Sequence, residues 1–223
     1  RVMKEDKQKK LQEKLAAELE RLKTMQEFEE KYKAYTYIAG VDEVGRGPLA
    51  GPVVAACVIL DRNKQILYLN DSKKLSEKKR EGLYTEICES AVAYGIGIVS
   101  PARIDEINIL NATYEAMRAA ISNLKLKPDI LLNDAVHIPK VDIKQVSIIK
   151  GDAKSVSIAA ASIVAKVSRD RLMVEYDSLY PEYKFAKNKG YGTKEHIAAI
   201  KEHGLCPIHR RSFVGNIVTD DGK

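Results

Sequence analysis

A chain of 223 residues has the length of one globular domain with room for a small appendage. With 45% hydrophobic and 30% charged residues it lies in the ordinary soluble range, so a substantial core can be buried, and no uncharged apolar run is long enough to span a bilayer as a helix. The formal charge of +6 suits a polyanionic partner without demonstrating one, because net charge governs solubility and non-specific association rather than fold.

Residues up to about 35 read as a helix. Leu11, Leu15, Leu19, Leu22 and Met25 recur at spacings of three and four among Lys and Glu, with no Gly or Pro between them. This charge-rich pattern is not a signal peptide. It suits a helix that packs on a neighbour or stands partly free. Composition changes at Tyr37. Residues 37–41 read as a strand running into Asp42-Glu43, residues 53–60 as a second strand, and residues 66–69 as a short third one. Short turns between these runs predict consecutive antiparallel strands. After Ser76 the pattern is helical, with Leu83, Ile87 and Ala91 on one face, and residues 93–99 form a Gly-containing strand.

Ser100-Pro101 is a helix start, a capping residue followed by Pro at the first helical position. The helical pattern continues from Asn108 to Leu124, where Ala116, Ala119 and Ala120 allow close packing, and Pro128 breaks it. Residues 129–132 read as a buried strand ending at Asn133-Asp134, and residues 145–149 as another ending at Lys150-Gly151-Asp152. A long Ala-rich helix is predicted from Ser155 to about Tyr180. Thr193 caps a last helix that stops at Gly204. Strands first, then alternating helix and strand, predict an α/β layer fold with a mixed central sheet.

The acids are the informative feature. Asp42-Glu43, Asp134 and Asp152 each stand where an apolar strand ends, although Asp and Glu are poor strand residues and costly when buried. Acids so placed converge at one edge of a sheet, where open α/β sheets bind ligands. Crowded carboxylates repel one another, and a hard divalent cation removes the conflict. By position alone, solvated turns and helix caps explain such acids equally well.

Gly45-Arg46-Gly47-Pro48 is not a nucleotide loop, because a strand and not a helix follows the glycines. A tight turn is left, in which Arg46 can grip a phosphate and bare amides can touch a sugar hydroxyl. Three scattered cysteines, Cys57, Cys88 and Cys206, make no disulfide framework and suit a reducing, cytoplasmic setting. Cys206-Pro207-Ile208-His209 lacks a matching second pair for zinc. His196 and His203 share a helix face without a third ligand, the usual pattern of packing or surface histidines.

Taken in order, several segments closely resemble ribonuclease HII, the type 2 ribonuclease H family. They are residues 37–56 with Asp42-Glu43-Val44-Gly45-Arg46-Gly47-Pro48, then Asp71-Ser72-Lys73-Lys74-Leu75, Asp134-Ala135, and Lys150-Gly151-Asp152-Ala153-Lys154-Ser155. Residues 158–170, Lys189-Gly190-Tyr191-Gly192-Thr193 and Pro207-Ile208-His209-Arg210-Arg211-Ser212-Phe213 complete the set. The resemblance covers essentially everything after residue 36. It implies a ribonuclease H-like fold, with a mixed five-stranded sheet flanked by helices and a helical C-terminal part. The catalytic domain would span residues 37–223, with residues 1–36 as a charged helical extension.

The resemblance also implies an endoribonuclease that hydrolyses the RNA strand of RNA/DNA hybrids. It would nick 5′ of ribonucleotides embedded in duplex DNA, using two Mg²⁺ or Mn²⁺ ions on Asp42, Glu43, Asp134 and Asp152. Gly45, Arg46 and Gly47 would recognise the ribonucleotide. Tyr191 would stack on the neighbouring deoxyribose, and Ser72, Lys73 and Lys74 would lie along the nucleic-acid backbone. A monomer acting in the cytoplasm without membrane association is expected. Adjacent strand residues face opposite ways, so Asp42 and Glu43 share metals only if the chain bends, and Gly45 would permit it. Asn133 departs from the family pattern, where an apolar strand residue is usual. The alternatives are a ribonuclease HIII-type hybrid nuclease, which characteristically lacks the Arg of the turn, and a nucleic-acid-binding module without catalysis.

Overall fold

The computed structural model describes residues 2–218. In chain order the helices and strands are α1 (Val2–Met25), α2 (Glu27–Lys31), β1 (Ile38–Val44), β2 (Val53–Ile59), α3 (Glu77–Ser90), β3 (Ala93–Val99), α4 (Pro101–Ile107), α5 (Ile109–Ser122), β4 (Ile130–Asp134), β5 (Lys144–Ile148), α6 (Gly151–Lys154), α7 (Val156–Leu179), α8 (Phe185–Asn188), α9 (Lys194–His203) and α10 (Arg211–Val218). Single 3-10 turns lie at Ser72–Lys74 and Pro181–Tyr183. Among the described residues no helix is long and apolar enough to cross a membrane.

The five strands form one mixed sheet in the order β3-β2-β1-β4-β5. β2 runs antiparallel to both of its neighbours, β1 and β3, while β4 and β5 run parallel to β1 and to each other. Side chains alternate across this sheet. Ala39, Val41, Ala55, Cys57 and Leu131 face a core with Ile104, Ala116, Met117 and Ala120 of α4 and α5. On the opposite face Ala56 and Val58 meet α3 and the apolar body of α7, and Ile38, Ile130 and Leu132 meet Ile158. The small residues let helices lie almost on the backbone. A Cβ on Gly40 would sit 2.1 Å from the Ser157 carbonyl carbon, and one on Gly97 would sit 1.9 Å from the Ala116 carbonyl oxygen. Ala159, Ala160, Ala161 and Ala165 of α7 are fully buried for the same reason.

Four expectations are corrected. Residues 66–69 form no strand. Ile66 and Leu69 are buried, but against α1 and α3, and the strand after β2 is β3. The predicted helix across Asn108 is two helices, because Asn108 takes φ 72° and its side chain accepts the Asn111 amide to start α5. The helix capped by Thr193 is not the last, since α10 follows with its first amides bonded to the Asp105 carboxylate. The N-terminal helix breaks at Gln26, and of its apolar stripe only Leu22 and Met25 are buried, while Leu11 and Leu15 are exposed.

The N-terminal segment is nonetheless joined to the domain by specific bonds. The Glu18 carboxylate accepts the Tyr68 amide, and Arg21 donates to the Leu69 carbonyl at 2.8 Å. One oxygen of Glu29 accepts both the Ser155 hydroxyl at 2.6 Å and the Ser157 amide at 3.1 Å, so Glu29 satisfies the N-terminus of α7 from outside the helix. Its other oxygen is buried without a partner, and burial holds this carboxyl above its ordinary range.

Glu29→Ala should therefore lower stability by about 1–2 kcal/mol, as for a lost helix cap, measured by urea or thermal unfolding. Glu29→Gln keeps the acceptor and replaces the orphan oxygen by a donor. A carboxyl raised in the folded state makes the wild type lose stability as pH climbs from the unfolded value through the folded one. The Gln variant should then match or exceed the wild type at pH 8, with the gain shrinking in acid. A Gln variant as damaged as the Ala variant would contradict this.

Candidate active site

Parallel pairing of β1 with β4 ends in register at Val41 and Asn133. One residue further on each strand stand Asp42 and Asp134, at the same edge of the sheet. β5 carries the chain to the left-handed Lys150 and into α6, which bears Asp152. Oxygens of Asp42, Asp134 and Asp152 lie within 4.8 Å of one another. The Gly151 amide donates to Asp134 Oδ1 at 2.7 Å, and the Glu43 amide to Asp42 Oδ1 at 2.8 Å. These bonds orient two of the three acids.

Glu43 stands apart from this trio. The ladder with β2 continues regularly through Glu43–Ala55 and Val44–Val54, so the expected bend between Asp42 and Glu43 does not occur. The Glu43 carboxylate instead lies 3.8 Å from the Arg46 guanidinium, and its Oε2 is buried without a hydrogen-bond partner. It nonetheless lines the same cavity, of about 220 Å³, as Asp42, Asp134, Asp152, Ser72, Lys73 and Tyr191, so no bend is needed to bring Glu43 to the site.

The electrostatics follow from this crowding. Asp42 is held well above the usual carboxylate range, first by burial and then by the charges of Glu43, Asp134 and Asp152. Glu43 is raised by burial and by Asp134, against the opposing pull of Arg46. Asp152 is pushed up to about 6 by burial, by Asp71 and by Asp134. A divalent cation suits this site on three counts: hard oxygen donors only, carboxylates destabilised by one another, and an orphaned buried oxygen on Glu43.

The turn that follows β1 is built around two buried arginines. Arg169 of α7 donates to the carbonyls of Pro52, Ala50 and Lys189, and Arg210 to those of Gly51, Arg46 and Gly45. Gly45 has φ 90°, and a Cβ there would lie 2.3 Å from Arg169 Nε, so no other residue fits. Desolvation draws the two guanidiniums down to about 10 and about 9, which still leaves both charged at neutral pH. A Cβ on Gly47 would be 3.9 Å from the Tyr191 ring, which also lies 5.9 Å from the Arg169 guanidinium. The turn, Tyr191 and the acids thus meet in one place.

The remaining expected residues divide. Ser72 is buried and its hydroxyl accepts from that of Ser162 at 2.8 Å. Lys73 is exposed at the cavity mouth. Lys74 is exposed and does not line the cavity. Asn133, fully buried, lies on the face opposite Asp134, where it donates to Gln145 Oε1 at 2.8 Å and helps hold the loop at Ile138. Sequence reasoning missed Ser162 and Lys166, cavity residues one helical turn apart on α7, because the apolar pattern of that helix masks them. It also missed Asp71, which neighbours Asp152, and the arginine pair.

The family model for ribonuclease HII matches residues 39–215. Ribonuclease HII of Lachnoclostridium phytofermentans is 66% identical over 207 residues, spanning 93% of this chain and 82% of that protein. Ribonuclease HII of Caldanaerobacter subterraneus is 59% identical over 206 residues, spanning 92% and 86%. Among solved structures, ribonuclease H2 from Pyrococcus horikoshii superposes with a TM-score of 0.71 at 28% identity, covering 84% of this chain and all of that one. The strand order, the acids at one sheet edge and these similarities together make the chain a member of the ribonuclease HII family, endonucleases of the ribonuclease H type.

Proposed function

We propose that the chain hydrolyses the RNA strand of RNA/DNA hybrids and nicks duplex DNA on the 5′ side of single embedded ribonucleotides, with two Mg²⁺ or Mn²⁺ ions. The observation that carries this reading is the trio Asp42, Asp134 and Asp152, with oxygens within 4.8 Å, in one cavity with Glu43 and Tyr191. Asp42, Asp134 and Asp152 would hold the metals, with Glu43 joining through its orphaned Oε2. Such ions activate water and stabilise the leaving oxygen of a phosphodiester.

Discrimination of RNA from DNA rests on the 2′-hydroxyl. The carbonyls of Gly45 and Arg46 are taken by buried Arg210. In a trans peptide the following N–H points the opposite way. The amides of Arg46 and Gly47 therefore face away from Arg210, which supports their presentation to a ribose hydroxyl, with Arg46 beside the phosphate. Tyr191 would stack on the adjoining deoxyribose, and Ser72, Lys73 and Lys74 would follow the backbone, without reading base sequence. Arg46 favours this reading over a ribonuclease HIII-type enzyme. We assign catalysis to residues 37–223 and treat residues 1–36 as an extension. The free cysteines support a cytoplasmic setting, and we take the active form to be a monomer.

A DNA duplex with one ribonucleotide should be cut in Mg²⁺ or Mn²⁺, and the all-DNA duplex should not; equal cleavage of both would refute the recognition role. Asp134→Asn should lower the rate on the order of a thousandfold or more, whereas a binding module without catalysis would give no metal-dependent cutting to lose. In thermal unfolding without divalent ions, Asp42→Asn should be more stable than wild type, because it removes a buried charge from its neighbours' repulsion. Mn²⁺ at a hundred times its Kd should stabilise the wild type by about 2.7 kcal/mol and the variant by much less.

A further inference from the structure

His196 and His209 are buried and face each other, with Nε2 atoms 2.9 Å apart. Their outer nitrogens are both engaged by the backbone. His209 Nδ1 lies 2.9 Å from the Cys206 amide, and His196 Nδ1 lies 2.8 Å from the Tyr191 carbonyl. A backbone amide only donates and a carbonyl only accepts. His209 Nδ1 must therefore be bare, its proton must sit on Nε2, that proton must point at a bare His196 Nε2, and the proton of His196 must be on Nδ1, directed at Tyr191. One set of tautomers satisfies all three bonds.

No cationic state does. A proton added to His209 Nδ1 confronts the Cys206 N–H, and one added to His196 Nε2 confronts the N–H of His209. The pair is enclosed by Tyr183 and Phe185, with ring centroids 4.8 Å from His209 and 5.4 Å from His196 respectively. The titratable groups around it are Tyr183, whose hydroxyl is spent on the Gly204 carbonyl, together with Cys206 and Tyr191. His203 packs edge-on to Tyr183, with ring centroids 6.5 Å apart, and the adjacent Arg210 donates to the turn carbonyls. Among the described residues no carboxylate bonds to either ring.

The pair ties together two segments that both touch the candidate site. Tyr191 projects its ring beside Gly47. The segment after Cys206 holds the turn through an Ala50–His209 bridge, the Arg210 amide on the Leu49 carbonyl and the Gly51 amide on the Ile208 carbonyl. We propose that His196 and His209 are positioning residues, a neutral pair sharing one proton between their facing nitrogens, which sets Tyr191 against the glycine turn and so controls selectivity for an isolated ribonucleotide. This rests on the reading of Tyr191 given above. Burial depresses both imidazoles, His209 to about 4 with His196 adding to the effect. A depressed folded-state value means the arrangement is intact above the ordinary histidine value near 6.5 and is lost as pH falls toward the folded value.

The test compares kcat/KM for a duplex with one ribonucleotide against a long RNA/DNA hybrid. Both substrates use the same carboxylates, so titration of the acids cancels in the ratio. His196→Gln, His209→Gln and Tyr191→Ala should each shift the ratio against the single ribonucleotide on the order of tenfold. The wild-type ratio should be flat from pH 7 to 9 and fall in acid, and the histidine variants should lose that acid limb. Nitrogen-15 NMR of the wild-type imidazoles should find the proton of His209 on Nε2 and that of His196 on Nδ1. Histidine variants with a wild-type ratio, while Tyr191→Ala collapses it, would overturn the relay and leave the Tyr191 reading intact. An unchanged ratio for Tyr191→Ala would overturn that reading and with it the selectivity role of the pair. Should the variants fail to fold, the wild-type tautomers decide: a proton on His209 Nδ1 refutes the proposal.

Discussion

The arrangement turns on one unfavourable fact, a carboxylate buried at the end of the central strand among others of its kind. Asp42 is 6% exposed, and transferring a carboxylate out of water costs several kcal/mol even after relaxation. Two further aspartates lie within 4.8 Å of it, which deepens the conflict. The fold offsets part of this locally, with the Glu43 amide on Asp42 and the Gly151 amide on Asp134. Hydrogen bonds to charged groups contribute about 1.5–3 kcal/mol each. They orient the acids without neutralising them. A site left with unspent negative charge in a cavity lined by buried carboxylates is one whose stability and chemistry both depend on a cation from outside.

Positive charge inside the protein is handled by the opposite strategy. Arg169 and Arg210 are both fully buried, yet neither is directed at the acids. They donate instead to six carbonyl oxygens around residues 45–52 and at Lys189. Had either guanidinium reached Asp42, it would have relieved the crowding and competed with a metal. Spent on backbone carbonyls, the two arginines instead fix the shape of a turn too rich in glycine to hold itself. Arg46, 44% exposed, is left as the solvent-facing cation of that turn, with Glu43 as its only ion-pair partner among the described residues.

Much of this was legible beforehand because the relevant signals are local. Acids at the ends of apolar runs, a Gly-Arg-Gly turn followed by a strand, and Ser100-Pro101 each carry their own meaning at short range. What was lost depends on distant parts of the chain. The run at 66–69 is apolar enough for a strand, but its backbone is claimed by α1, where Arg21 takes the Leu69 carbonyl. The start of α10 is invisible locally, since its cap is Asp105, over a hundred residues earlier. Asn108 hid a helix break because α4 and α5 bury their apolar faces in one cluster, so periodicity runs through it. His196 was read against His203 on its own helix, whereas its partner His209 lies beyond the helix end.

The same distinction explains how residues outside the matched family region bear on the site. Glu18 and Arg21 hold the backbone at Tyr68 and Leu69, just before the turn that presents Ser72 and Lys73. Glu29 holds Ser155 and Ser157, just after the short helix that presents Asp152. Asp71 and Asp152, on these two segments, are close enough for the charge of Asp71 to raise the Asp152 carboxyl. The N-terminal segment thus holds the two loops that bring the charges of Asp71 and Asp152 together. Repulsion of that kind would spread loops free to move, and helices α1 and α2 oppose it by fixing the backbone on both sides.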